Sequence, residues 1–148
     1  MKISSKGRYA LASMVLLAQR GADAPPTTVI GVSQRLNVSK IYLEQIFALL
    51  RRGGLVSSTK GAQGGYQPAR PLSQISAADI LAITENAIFE DIESVAPDAE
   101  PGIERALQDT LFRPANEAFK RIFQKTTLAD LVEETRKRAA DGAYIYCI

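Results

Sequence analysis

The sequence predicts a mostly α-helical fold with a small β wing, organised as a winged helix-turn-helix head followed by a long dimerisation helix. Three observations predict it. Residues 39–52 carry apolar side chains at helical spacing, residues 55–69 place two short β-forming runs around a glycine-rich turn, and residues 101–125 hold a broad apolar face. The chain has 148 residues, 46% of them hydrophobic, which is enough to bury the core of one small domain.

The composition excludes several kinds of active site. There is no histidine and only one cysteine, Cys147, so Ser-His-Asp triads, Cys-His nucleophiles and Cys/His zinc sites cannot be built within the chain. No apolar run approaches the length of a membrane-spanning helix, and the N-terminus lacks a signal-like apolar segment. We therefore expect a cytoplasmic protein that is not an enzyme, with no metal site, no cofactor and no membrane segment.

Positive charge is concentrated in the N-terminal half. Residues 1–70 contain ten lysines and arginines against two acids, whereas residues 71–148 contain eight against fourteen. This asymmetry favours an N-terminal half that faces a polyanion. An unevenly charged, merely solvated surface is the alternative.

The first helix is predicted to begin at a cap on Ser4 or Ser5, to run to about residue 19 and to be closed by Gly21. Its first turn holds Lys6 and Arg8. The helix dipole disfavours cations at this end, but a bound phosphate would reverse that preference.

Two helices joined by a tight turn are predicted over residues 27–52. Thr27 or Thr28 caps the first helix, and Ser39 caps the second. The buried stripe of the second helix comprises Leu43, Ile46, Phe47 and Leu50. Its opposite face comprises Ile41, Gln45, Ala48 and Arg52. Such a pair is typical of a helix-turn-helix, although many helical pairs have no such role.

A hairpin is predicted directly behind the second of these helices. Residues 55–59 (LVSST) and 65–69 (GYQPA) are short β runs joined by the turn KGAQG. In this position a hairpin is a wing, whose Lys60 can contact a phosphate or enter a minor groove. Simple turn chemistry also explains the glycines. The basic first turn, the helix-turn-helix and the wing, taken in this order, indicate that the wing tip touches DNA.

The C-terminal half is predicted to be helical around an acidic connector. A capping-box-like pair, Ser76 and Asp79, opens a helix to about residue 86, and residues 87–101 form the exposed connector. A long helix follows, which Pro114 should kink or divide. Its apolar face comprises Ile103, Leu107, Leu111, Phe119, Ile122 and Phe123. A domain of this size does not need such a helix for its own core, so dimerisation is the better explanation.

A last helix is predicted from the cap formed by Thr127 and Asp130 to about Ala140, with a break at Gly142 and an apolar tail. The predicted units are a DNA-binding domain, a connector, dimerisation helices and a C-terminal tail. They span residues 1–86, 87–101, 102–140 and 141–148 respectively.

Four segments together resemble a known family. They are SKGRYA (5–10), YLEQIFALLRRGGLVSS (42–58), GGY (64–66) and TTLADL (126–131). They closely resemble the Rrf-type winged-helix regulators, the family of IscR, NsrR and CymR, and the resemblance covers nearly the whole chain. It implies a homodimeric bacterial transcription factor, expected to be a repressor, that binds a palindromic operator in double-stranded DNA.

The resemblance also implies which residues contact DNA. Gln45 can pair with adenine and Ile41 can lie against a thymine methyl group, whereas Glu44 can accept from a cytosine amine, repel phosphate or be merely solvated. Lysines and arginines contact phosphates. The full set of candidates is Lys6, Arg8, Ser39, Lys40, Ile41, Glu44, Gln45, Arg52, Lys60, Gly61 and Gly64. Tyr9 and Tyr42 can equally be packing residues or DNA contacts, so they are left out of this set.

The chain departs from the cluster-binding members of the family. Those members carry three cysteines before the long helix, whereas residues 89–107 here (FEDIESVAPDAEPGIERAL) contain no cysteine or histidine. Carboxylates are hard ligands that suit iron–sulfur clusters poorly. The cluster is therefore expected to be absent.

The two ends of the chain, MKISSKGRYAL and AYIYCI, resemble the CymR branch, which regulates cysteine metabolism. The implied partner is cysteine synthase, whose active-site cleft accepts a C-terminal isoleucine, so Tyr146 and Ile148 are candidate partner-binding residues. Simple packing of the tail, or an oxidation switch at Cys147, are the alternatives. At the level of the whole protein, two further alternatives are a regulator that responds to a small-molecule ligand and a protein-interaction adaptor on the same fold.

Overall fold

The computed structural model describes residues 2–88, 90 and 101–146, and it confirms a mostly helical fold with a two-stranded antiparallel wing. The helices are α1 (Ser5–Ala18), α2 (Val29–Leu36), α3 (Lys40–Arg52), α4 (Ala77–Thr84), α5 (Pro101–Leu107), α6 (Arg113–Lys125) and α7 (Leu128–Tyr146). The strands are β1 (Val56–Thr59) and β2 (Gly65–Pro68), and a short 3-10 turn spans Leu72–Gln74. Most of the predicted acidic connector, 87–101, lies outside the described residues.

The predicted helix caps are confirmed. The Ser4 hydroxyl accepts from the backbone N–H of Gly7 at 3.1 Å, and the Thr28 hydroxyl accepts from that of Gly31 at 3.0 Å. The Ser39 hydroxyl accepts from the third residue of α3 at 3.5 Å. Each cap satisfies a backbone donor that has no partner inside its helix, so the sequence fixes where each helix starts.

The turn between α2 and α3 is held by its own hydrogen bonds. Asn37 adopts a left-handed conformation with φ of 52°, which asparagine tolerates better than most residues, and its N–H donates to the Ser33 carbonyl. The Ser33 hydroxyl in turn donates to the Val38 carbonyl at 2.6 Å. These bonds fix the direction in which α3 leaves α2.

The core is built around the predicted stripe of α3, whose four members are fully buried. Side chains from the other elements pack around them, namely Met14 of α1, Val32 of α2, Val56 of β1 and Ile80 of α4. Leu55, which precedes β1, and Ile75, which precedes α4, join the same cluster. The last helix also contributes Leu128 and Val132, both buried, which the sequence reasoning did not expect. Helix α7 therefore returns to the head, where the Leu128 N–H donates to the Ile75 carbonyl at 2.7 Å.

The wing is joined to the segment before α2 as well as to itself. The two strands pair from Val56 with Pro68 to Thr59 with Gly65. Thr27 then forms an isolated bridge with Tyr66, through two backbone hydrogen bonds of 2.9 and 2.8 Å. The Tyr66 ring also packs against a buried phenylalanine of α3, with 4.6 Å between ring centroids.

Helices α5 and α6 form one helical segment that is divided by a π turn at Gln108–Phe112. The predicted division is confirmed, and Pro114 lies directly after the π turn, in the first turn of α6. Because proline has no N–H, it leaves a carbonyl of the preceding turn without its helical donor. Several apolar side chains of this segment are strongly exposed, among them Ile103 at 61% and Ile122 at 60%. Leu107, Leu111 and Phe119 are exposed as well.

The predicted end of the last helix is wrong. Helix α7 continues through Gly142 to Tyr146 rather than ending near Ala140. Glycine in a helix interior costs about 1 kcal/mol relative to alanine, which weakens a helix without forbidding it. Gly142 is not among the residues with positive φ, so nothing in its backbone interrupts the helix.

Gly65 offers a test of the bridge between the wing and Thr27. Gly65 has φ of +152°, and a Cβ there would lie 2.6 Å from the Thr27 carbonyl carbon and oxygen. We expect Gly65→Ala to lower the free energy of unfolding by about 2–4 kcal/mol, combining backbone strain with a clash against backbone atoms. The measurement is urea unfolding followed by circular dichroism.

Gly61→Ala is the matched control, because Gly61 also has a positive φ of +102° but no atom within 4 Å of an added Cβ. It should lose only the strain contribution of about 1–2 kcal/mol. Equal losses for the two variants would show that the close approach to Thr27 contributes nothing.

The cap of α7 makes stability depend on pH. The Asp130 carboxylate accepts from the Thr127 N–H at 2.8 Å and from its hydroxyl at 2.7 Å. The backbone bond first, and the hydroxyl bond second, hold the pKa of Asp130 below its ordinary value of 3.8. A lowered folded-state pKa stabilises the fold above the unfolded-state value, and this stabilisation disappears as pH falls through the folded-state value.

We therefore expect wild-type protein to lose more stability than Asp130→Asn as the pH is lowered from 5 through the range below about 3.8. Urea midpoints measured at several pH values would show the difference. Parallel curves for the two proteins would contradict the assignment.

Candidate DNA-binding surface

The outward face of α3 is exposed to solvent, so a ligand can reach it. Ile41 is 71% exposed, and Gln45, Ala48 and Arg52 are exposed beside it, as predicted from the helical period. Ser39 is exposed at the start of the helix, where its hydroxyl serves as the cap. An apolar side chain that is so open to solvent beside a glutamine can contact a thymine methyl group and an adenine edge.

On one side, this face borders the start of α1. A shallow cleft of about 290 Å³ is lined by Lys6 of α1 and by Gln45 and Arg52 of α3. Tyr42 also lines the cleft and meets Tyr9 edge to face, with 5.9 Å between ring centroids. These tyrosines pack α1 against α3, and their packing sets the position of Lys6 beside α3.

On the other side, α3 borders the wing. A cleft of about 400 Å³ is lined by the start of α2, by Lys40, Glu44 and Arg51 of α3, and by the wing tip with Lys60 and Gly61. Gly64 lines it as well. The structure therefore brings together most of the predicted helix and wing residues, in two groups on either side of α3, whereas Ser39 and Ile41 line neither cleft.

Two contributors to the second cleft were missed. Arg51 precedes Arg52 in the last turn of α3, but at 100° per residue it falls outside the predicted outward face. Thr28 was considered only as a helix cap. Both reach the cleft because the wing folds back towards α2 and α3, which is a long-range feature with no signal in the local pattern.

The wing tip depends on its glycines. Gly61 has φ of +102°, and the Gly64 N–H donates to the Gly61 carbonyl at 3.0 Å. A Cβ on Gly64 would collide with the Thr59 carbonyl oxygen. This tight loop leaves Lys60 exposed at the tip.

Glu44 forms an ion pair with Lys40, at 3.4 Å and one helical turn away. Both side chains are about half exposed, so the pair contributes little to stability. It does give Glu44 a defined neighbour, and it lowers the positive charge that Lys40 presents to an approaching polyanion.

The start of α1 has an internal counter-charge. The Ser4 hydroxyl donates to the Glu85 carboxylate at 2.5 Å, and the Ser4 N–H donates to its other oxygen at 3.4 Å. A carboxylate at a helix N-terminus is favourable, so α1 tolerates Lys6 and Arg8 in its first turn without a bound phosphate. Arg8 is exposed but lines neither cleft.

The candidate partner-binding residues lie at the edge of the described chain. Tyr146 is the last residue of α7. Ile148 lies outside the described residues, as does Cys147.

This arrangement defines a class of protein. A helix-turn-helix with an open second helix, flanked by a lysine from the preceding helix and by a basic, glycine-rich wing, is a winged-helix DNA-binding head.

Within the part of the chain that the structure describes, no helix combines the length and apolarity needed to cross a membrane.

Comparison with known proteins identifies the family. The Rrf2 family profile, described as "Iron-dependent Transcriptional regulator", matches residues 3–134, and the chain belongs to this family. It is 38% identical over 135 residues to the HTH-type transcriptional regulator CymR of Bacillus subtilis (strain 168), covering 91% of this chain and 92% of that protein. It is 33% identical over 135 residues to the HTH-type transcriptional regulator IscR of Yersinia enterocolitica, covering 89% of this chain and 79% of that one.

A solved structure shows the same fold. The structure of B. subtilis CymR, described as the global cysteine regulator of that organism, superposes with a TM-score of 0.78 and 35% identity, over 90% of this chain and 98% of that one. The chain is thus an Rrf2-family helix-turn-helix transcriptional regulator and not an enzyme.

The family description implies iron, so the side chains of this chain that could bind a metal must be considered. Iron–sulfur clusters are held mainly by cysteine thiolates, and this sequence has one cysteine and no histidine. Among the described residues, no group of three or more Asp, Glu, His or Cys side chains is placed to hold a metal ion. The available donors do not fit an iron–sulfur cluster, and the absence of the cluster remains a prediction.

Proposed function

We propose that this regulator is a cytoplasmic homodimer without an iron–sulfur cluster, and that it represses transcription by binding a palindromic operator. The observation that carries the proposal is the placement of basic side chains on both sides of the open face of α3. Lys6 and Arg52 line one cleft, and Lys40, Arg51 and Lys60 line the other. A duplex held between them would have phosphates on both edges of the major groove that α3 enters.

The two proposed roles on this surface differ. Gln45 and Ile41 face outward from the middle of the helix face and are the proposed readers of base edges. The flanking lysines and arginines are proposed to contact phosphates, which position the protein without reading sequence. Arg8 is also proposed to contact a phosphate, because it is exposed and lies two residues after Lys6.

The exposed face of α5 and α6 supports dimerisation. Ile103, Leu111 and Ile122 are each more than half exposed in the single chain. Monomeric proteins rarely leave many large apolar side chains on one extended segment open to water. A second copy related by twofold symmetry would cover this face and place two α3 helices on successive turns of DNA, which explains why the operator should be palindromic.

A pair of substitutions separates base reading from phosphate binding. Gln45→Ala should weaken operator binding by about 1–3 kcal/mol while leaving non-specific binding nearly unchanged, because an adenine contact distinguishes sequences. Lys60→Ala should weaken both kinds of binding and reduce the salt slope by about one per head. Fluorescence anisotropy across a salt series, with operator and scrambled duplexes, measures both effects.

Lys137→Ala provides the control, because Lys137 is an exposed cation of α7 that lines neither cleft. It should change neither affinity nor slope. A uniform loss in Gln45→Ala on both duplexes would contradict its role as a base reader. A salt dependence close to zero in the wild-type protein would instead favour the adaptor alternative.

The similarity to CymR supports a narrower proposal, that the regulator acts on cysteine metabolism and binds cysteine synthase through its C-terminal residues. Helix α7 runs to Tyr146, and Cys147 and Ile148 follow it in the sequence. An apolar residue with a free carboxylate is a compact anchor for a cleft that captures C-termini. Tyr146 would supply the adjacent aromatic contact.

Deleting Ile148 tests this partner. The deletion should abolish binding to purified cysteine synthase in isothermal titration calorimetry, since it moves the terminal carboxylate onto Cys147, and operator affinity should stay unchanged. Cys147→Ser is the companion variant and should still bind the synthase. An unaltered complex after the deletion would refute capture of the C-terminus, whereas loss of the complex only in Cys147→Ser would point to thiol chemistry.

A further inference from the structure

A third concave site, a cavity, lies at the base of the wing, separate from the two clefts described above. It has a volume of about 460 Å³ and is enclosed by the C-terminal end of α1, the loop that leads to α2, and the second wing strand with the loop after it. None of the predicted DNA-contact residues lines it. Its volume falls within the range of about 300–1,000 Å³ that is typical of small-molecule sites.

The walls of this cavity are mostly apolar and stiff. Leu17 of α1, Tyr66 of β2 and Leu72 supply apolar surface. Three prolines, Pro25, Pro68 and Pro71, also line it. Proline fixes its own φ, so these walls are largely preformed and a ligand would need to order little of the chain.

Two arginines give the cavity a charge. Arg20 and Arg70 line it, and no carboxylate does. The Arg20 guanidinium is oriented by the buried Thr27 hydroxyl, to which it donates at 3.2 Å. Among the described residues, neither arginine is paired with an acid. A guanidinium fork matches a carboxylate in shape and charge, so the cavity fits an organic carboxylate with an apolar body.

We propose that this cavity is an effector site for an aromatic or medium-chain carboxylate, in which Arg20 and Arg70 hold the carboxylate and the apolar walls hold the body. Binding there is coupled to the wing through Thr27. That residue is bonded to Tyr66 of the wing on one side and precedes Thr28, the cap of α2, on the other. The coupling rests on the proposed DNA-binding surface, whereas the ligand site itself does not.

Titration of the full-length protein with 3-phenylpropanoate, followed by ¹H–¹⁵N correlation spectra, tests the ligand site. Saturable shifts are expected at the amides of Leu17, Gly21, Thr27 and Ala69, which border the cavity. The neutral analogue 3-phenylpropan-1-ol should bind about tenfold more weakly, because it cannot form the charge-assisted bonds.

Arg70→Gln should weaken the acid by about tenfold and leave the alcohol unchanged. Arg35→Gln, on an exposed arginine in the last turn of α2, is the matched control and should bind the acid normally. Absent shifts, equal binding of acid and alcohol, or an unaffected Arg70→Gln would each overturn the carboxylate site.

Operator affinity with and without saturating 3-phenylpropanoate tests the coupling, with a change of about fivefold or more expected. Unchanged operator affinity in a protein that binds the acid would refute the coupling and leave the site standing. Failure of the protein to bind DNA in either condition would instead overturn the proposed function, since the titration is independent of DNA.

Discussion

The two backbone hydrogen bonds between Thr27 and Tyr66 are the constraint on which the rest of the head depends. They join the wing to the start of α2, and they require a glycine next to Tyr66 because the two chains approach too closely for a side chain. The same contact separates the cleft that faces α3 from the cavity at the base of the wing. A change in this bridge would therefore move the wing tip and the recognition helix relative to each other.

Much of this head could be predicted because the interactions that define its helices are made between residues close in sequence. Ser4, Thr28 and Ser39 cap helices through hydrogen bonds to residues three positions away, and the buried stripe of α3 follows from its own period. Gly61 and Gly65 of the wing adopt positive φ values, which glycine tolerates. Within the candidate DNA-binding surface, the outward face of α3 and the position of Lys60 could be predicted for the same reason.

Most of the parts that sequence reasoning missed depend on contacts between different elements of the fold. Arg51 joins the surface because it lines one cleft together with the wing, and the Glu85 carboxylate reaches the start of α1 from 81 positions away. The error at Gly142 has a different cause. Glycine only weakly disfavours a helix, and this preference was given too much weight. The well-capped helix α7 has nineteen residues and continues through Gly142.

The return of α7 to the head has a consequence for how the protein is made. Domains at the N-terminal end of a chain commonly fold while the remainder is still being synthesised. Here Leu128 and Val132 complete the core that supports α1 and α3, so the head has an unfilled side until residue 132 has left the ribosome. The regulator thus completes the core beneath its candidate DNA-binding surface only after the helices proposed to pair two copies have been synthesised.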